Sequence, residues 1–148
     1  MPSHLIESIA NAFEDVEYPQ GPDISVPTYD DEGTAEHFRN THWRDHTLAT
    51  LENYTISLRF FTPEFLCFFL PAYMCVSIDN PESGIPDSVL DKISPPKHDP
   101  RRPSYYTWWS RLSGAQRRVV IMFLRHFEDS NPEHFWAVIA CLEADAVA

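Results

Sequence analysis

The stretch that decides the reading of this chain runs from Thr62 to Ile78, TPEFLCFFLPAYMCVSI. Phe65 to Leu70 holds five Phe or Leu side chains, and no charge follows Glu64 in it. A bilayer crossing needs about 20 unbroken apolar residues, and Pro71 interrupts this run in its middle. It is therefore read as the central buried helix of a small globular domain. Thr62-Pro63 supplies its start, an N-cap threonine followed by proline at the first helical position. Pro71 cannot donate to the carbonyl of Cys67, so a kink near Leu70 is expected. Nothing comparable in the chain marks a site of chemistry.

The other segments arrange themselves around that helix. Ser3 is expected to cap a first helix carrying Leu5, Ile6, Ile9, Phe13 and Val16 at three- and four-residue spacing, closed by Tyr18-Pro19. Residues 20–33, with Gly21, Pro22, Pro27 and Gly33, read as a mobile acidic loop. Thr34 is expected to cap a turn through Phe38, and His42 through Tyr54 reads as helix. Ser57 to Phe61 suggests a short extended piece, and Pro86 to Ile93 a short helix. Residues 94–103, with Pro95, Pro96, Pro100 and Pro103, form a stiff connector. Periodicity leaves Tyr105 to Trp109 open between strand and helix. Ser113 caps a clear helix through Phe127, and Asn131-Pro132 starts a last one. The class is mainly α: one domain over residues 1–148, an irregular bundle of about five or six helices around a Pro-kinked central one.

Composition sets the outer limits. The 148 residues suffice for one core, and ten Phe, six Tyr and four Trp argue against a disordered chain. Met1 to Phe13 lacks a basic segment and holds Glu7, so no secretory signal is expected and a cytoplasmic location is. Cys67, Cys75 and Cys141 read as small buried thiols. Charge is segregated. Met1 to Phe38 carries nine acids and no Lys or Arg, whereas Lys92 to Arg125 carries eight cations against Asp99 alone, within a net charge of −11. Either the acidic part lies across the basic strip of the same molecule, or it steers a basic partner protein toward it. Nucleic acid is a poor partner for so negative a chain.

The chain resembles a family of small bacterial proteins known only as a domain of unknown function. The likeness is carried by Ile9, Phe13 and Pro19; by Trp43 and Leu51; by Leu58, Phe60, Phe61, Thr62, Pro63 and Glu64 leading to Leu70-Pro71-Ala72-Tyr73; and by Leu112-Ser113 with Gln116, Arg117, Val120, Phe123 and Leu124. The resemblance implies an α-helical cytosolic protein and no activity. The one departure is the tail after Phe127, which adds a helix that the resemblance does not place.

Candidate chemistry is sparse. His37, His42, His46 and Asp45 are the one plausible metal cluster, since His42 and His46 on a helix would share a face. Trp43 stands where a zinc protease motif has its acid, and solvated helix-face histidines are the better reading. Cys67 and Cys75 lie in apolar surroundings that oppose thiolate formation, so no catalytic residue is assigned. Arg101, Arg102, Tyr105, Trp108, Trp109 and Arg117, with Tyr73, mix rings and cations as interface centres do, although core packing explains the rings better. The leading expectation is a non-enzymatic acidic interaction module, a neutraliser or adaptor for a basic protein, without cofactor. The alternatives are a small-ligand binder or enzyme using a pocket at Pro71 between Phe65, Phe69, Tyr73 and Trp108-Trp109, and a subunit that self-associates through the aromatic strip.

Overall fold

The computed structural model describes residues 2–93 and 107–127. In chain order the helices are α1 (Pro2–Ala12), α2 (Thr34–Phe38), α3 (Leu48–Leu51), α4 (Pro63–Asp79), α5 (Ile85–Ile93), α6 (Thr107–Ser110) and α7 (Gly114–His126). Two 3₁₀ segments, Trp43–Asp45 and Glu52–Arg59, flank α3. Among the described residues there is no strand, and the sole extended pairing is an isolated antiparallel bridge between Ser25 and Phe61. The expected mainly α class is what the chain adopts. The Pro-rich connector at 94–103 and the last helix from Asn131 lie outside the described residues.

α4 is the centre. Twelve of its 17 residues are buried, from Phe65 to Ile78, so it is apolar around its whole circumference rather than on one stripe. Thr62 and Pro63 start it as expected, and the helix continues through Pro71. Around it pack α1, α5, α6 and the Trp43–Asp45 turn, while α1 also lies against α7 and α5 against the Glu52–Arg59 segment. Ile9 and Phe13 of the first helical region, Ile85, Val89 and Ile93 of α5, and Val120, Phe123 and Leu124 of α7 point into the same core. Phe61, Phe65 and Phe69 form a stack at centroid separations of 5.4 and 6.1 Å.

α7 opens with a capping box in which the Ser113 hydroxyl accepts from the Gln116 N–H and the Gln116 side-chain Oε1 accepts from the Ser113 N–H. The Gln116 amide also donates to the Ala12 carbonyl at 3.2 Å, closing the end of α1 across 104 residues of sequence. One side chain thus caps two helices.

Several local expectations are corrected. Ser3 lies inside α1, and that helix ends at Ala12, well before Tyr18. The His42 to Tyr54 region is not one helix: His42 and Thr47 both adopt extended backbone and each begins a separate short turn. Side chains that bond their own neighbouring N–H groups compete with helix propagation, and here they win. Ser57 to Phe60 belongs to the 3₁₀ segment and its closing turn instead of an extended piece. Thr34 does not cap α2; it is buried and shares a 2.6 Å hydrogen bond with the Ser57 hydroxyl. Trp108 and Trp109 lie in the short helix α6.

Candidate functional site

Residues 20–33 were expected to wander, yet they are tied to the start of α4. The Val26 N–H donates to the Phe60 carbonyl at 2.7 Å and the Thr62 N–H to the Ile24 carbonyl at 3.0 Å. The Thr62 hydroxyl, free of any capping role, donates to the Asp23 carbonyl at 2.7 Å, and Ile24 is buried. Asp31 organises the other end. Its carboxylate accepts from the Ala35 N–H (2.9 Å), the Ser25 hydroxyl (2.7 Å) and the Gly33 N–H (3.1 Å). These donors, the Ala35 N–H foremost, hold its pKa below the ordinary carboxylate range. Gly33 adopts φ 81° and Glu32 φ 56°, so the chain turns twice through the left-handed region where a non-glycine residue carries strain.

The result is a shaped acidic loop. Glu7, Glu14, Asp15, Glu17, Asp23, Asp30, Glu32 and Glu36 are exposed; Asp31 is turned to internal use, and the Asp30 carboxylate accepts from the Glu32 N–H at 2.9 Å. Among the described residues, none of the nine forms an ion pair with a cation of the chain. α1 does lie beside the basic helix α7, but α1 carries only Glu7. Tyr29, next to Asp30, Asp31 and Glu32, is fully exposed.

The histidines do not assemble as a metal centre would. His42 and His46 stand at opposite ends of a three-residue turn. The His42 Nδ1 accepts from the Arg44 N–H at 3.0 Å, and the Asp45 carboxylate accepts from the His42 N–H at 2.7 Å. His46 is buried with its Nε2 2.9 Å from the Thr41 hydroxyl. His37 stacks on Tyr54 at 3.8 Å with its Nε2 buried and unbonded, and lies 5.4 Å from the His46 ring. The shared helix face is thus corrected, and among the described residues no three His, Cys, Asp or Glu side chains converge on a metal position. Burial, with the neighbouring His37, presses His46 down to about 4.

The rings proposed as a docking patch are mostly interior. Tyr73 is fully buried; its hydroxyl donates to the Tyr54 carbonyl at 2.7 Å, and burial pushes its pKa upward. Trp108 and Trp109 are buried, the former receiving a Cys67 thiol on its carbonyl. Arg117 lies over the Trp109 ring at 5.6 Å and donates through Nε to the Trp109 carbonyl at 3.1 Å. Arg117 and Trp109 therefore do meet, as a packed pair, while Tyr73 is occupied with Tyr54. Arg101, Arg102 and Tyr105 lie outside the described residues. Burial pushes the Cys67 thiol up to about 12 and Cys75 to about 11, which keeps both protonated near neutrality. The His37–Tyr54 stack and the pinning of the 20–33 loop to the start of α4 had no sequence signal, since both depend on partners 17 to 39 residues away.

An all-helical domain with a circumferentially apolar centre and a structured acidic loop is the class of protein defined here. The chain belongs to the family of unknown function DUF6714, matched over residues 1–142. That match runs past Phe127, so most of the tail set apart in the sequence falls within the family pattern. Comparison with curated proteins and with solved structures gives no match. Among the described residues no helix is long and apolar enough to cross a membrane.

Proposed function

We propose that the protein is a non-enzymatic docking module whose acidic N-terminal segment binds a basic partner protein, as a neutraliser or an adaptor. The observation that carries this reading is that eight of the nine acids before Phe38 are exposed and all nine are without an ion pair among the described residues. Uncancelled charge of one sign raises the encounter rate with an oppositely charged surface. The loop is already ordered by Asp31, Val26 and Thr62, so little entropy is lost on docking. Tyr29 offers an exposed ring among the acids, the kind of side chain that anchors interfaces. The alternative pocket at Pro71 lacks similar support, since Phe65, Phe69, Tyr73 and Trp109 are closed to solvent.

The test begins with capture from the native host at low salt, identification of the captured protein and its purification. Titration of that protein into the wild type and into a variant carrying Glu14→Gln, Asp15→Asn, Asp30→Asn and Glu32→Gln then decides. At least about a tenfold loss of affinity in the variant supports the proposal. A partner that binds both forms equally, or the recovery of none, overturns it.

A further inference from the structure

A cleft of about 700 Å³ opens between the Glu52–Arg59 segment and α5. Its wall brings together Arg59 and Lys92, the hydroxyls of Thr55 and Ser88, the Asp91 carboxylate and the exposed side chain of Ile56. The two cations come from different elements, yet neither forms an ion pair among the described residues. Asp91 lines the same wall without an ion pair to either of them among the described residues, so the cleft carries two cations and one carboxylate. Burial lowers the Lys92 pKa, as desolvation does for an ammonium without a counter-charge.

We propose that this cleft binds a singly charged organic acid, a monocarboxylate with a compact apolar body, through Arg59, Lys92 and the Thr55 hydroxyl. The volume falls within the range of small-molecule sites. Two cations against one carboxylate leave a local balance of one positive charge, which matches a monoanion and disfavours a polyphosphate beside Asp91. Arg59 offers a planar fork suited to a carboxylate, and the Thr55 hydroxyl can donate to a remaining lone pair, while the Ser88 hydroxyl already donates to the Gly84 carbonyl at 3.2 Å. Ile56 gives the apolar body a surface to cover. This site rests on residues distinct from the acidic segment, so its fate is separable from that of the docking proposal.

Two-dimensional amide NMR of the full chain, titrated with benzoate, hexanoate and pyrophosphate, tests it. The expected result is saturable shifts for a monocarboxylate centred on residues 55–59 and 88–92, with pyrophosphate weaker. Arg59→Gln and Lys92→Gln should each weaken binding by at least about tenfold, whereas Arg118→Gln, on the exposed side of α7, should leave it unchanged. Arg59 is exposed, so Arg59→Gln keeps the fold and the comparison remains interpretable. Absence of saturable shifts up to about 10 mM overturns the proposal, as do shifts centred elsewhere, tighter binding of pyrophosphate, or wild-type affinity retained in either cleft variant.

Discussion

At Tyr54 the 3₁₀ segment departs from helical geometry, with φ −129° and ψ 29°, and the Tyr73 hydroxyl donates to its carbonyl. Removing that hydroxyl leaves a carbonyl without its donor in a largely buried setting. Tyr73→Phe should cost about 1 to 2 kcal/mol in urea unfolding while leaving partner and carboxylate binding intact. An unchanged midpoint would show that the bond carries no net stability. His37 and His46 give the fold a pH dependence of definite sign. Burial lowers both pKa values below the ordinary 6.5, His46 to about 4 with a further contribution from His37, opposed by Asp45. Their neutral forms are favoured in the folded state, so the unfolded chain binds more protons below pH 6.5. Stability is therefore complete above about pH 6.5 and declines as pH falls toward about 4. Urea midpoints at pH 7.5, 6 and 5 should fall in that order, and the fall should shrink in His46→Asn. A wild-type midpoint constant over that range would contradict the burial of these rings.

At the scale of elements, the question is what holds the 20–33 loop. Asp31 accepts the Ala35 N–H that a helix start leaves without a partner, and links it to Ser25 on the stretch paired with Phe61. Asp31→Ala should lower stability by about 1 kcal/mol, the ordinary loss for an N-terminal capping acceptor. Amide exchange at Gly33 and Ala35 should accelerate with it, while the core of α4 stays protected. Acceleration confined to neither site would mean that the Val26 and Thr62 bonds alone fix the loop. The start of α7 was legible because Ser113 and Gln116 form a capping box three residues apart. The 42–54 region was misread because apolar spacing is compatible with helix, whereas the extended backbone at His42 and Thr47 is stabilised by local side-chain bonds that periodicity does not register.

Across the whole molecule, charge and shape are organised separately. The core is closed by rings from α4, α6 and the segments before α4, and the reactive-looking groups are spent inside it: Tyr73 on Tyr54, Cys67 on Trp108, His46 on Thr41. Among the described residues, charge without an ion pair includes the acids of the N-terminal segment and, in the cleft, the exposed Arg59 and the half-buried Lys92. Attraction between exposed charges is screened over about 10 Å at 0.1 M salt. The association of the acidic segment with its partner should accordingly weaken steeply between about 0.05 and 0.5 M salt, chiefly through the on-rate, in stopped-flow mixing. A salt-independent on-rate would remove the electrostatic role assigned to those acids.

The amino-acid sequence alone determined the helical class, the central position of Thr62 to Ile78, the start of α4 at Pro63 and the cap of α7, because each is written in neighbours within a turn of one another. It also determined the acidity of the first 38 residues, which is additive and independent of fold. Only the tertiary structure decided which acids remain without an ion pair among the described residues, that Asp31 and Thr62 fasten the loop, that Trp109 and Tyr73 are interior, and that Arg59 shares a cleft with Lys92. Those outcomes depend on hydrogen bonds and close packing between residues far apart in the chain, and such interactions fall off within a few ångströms, so only the path of the backbone brings them into range.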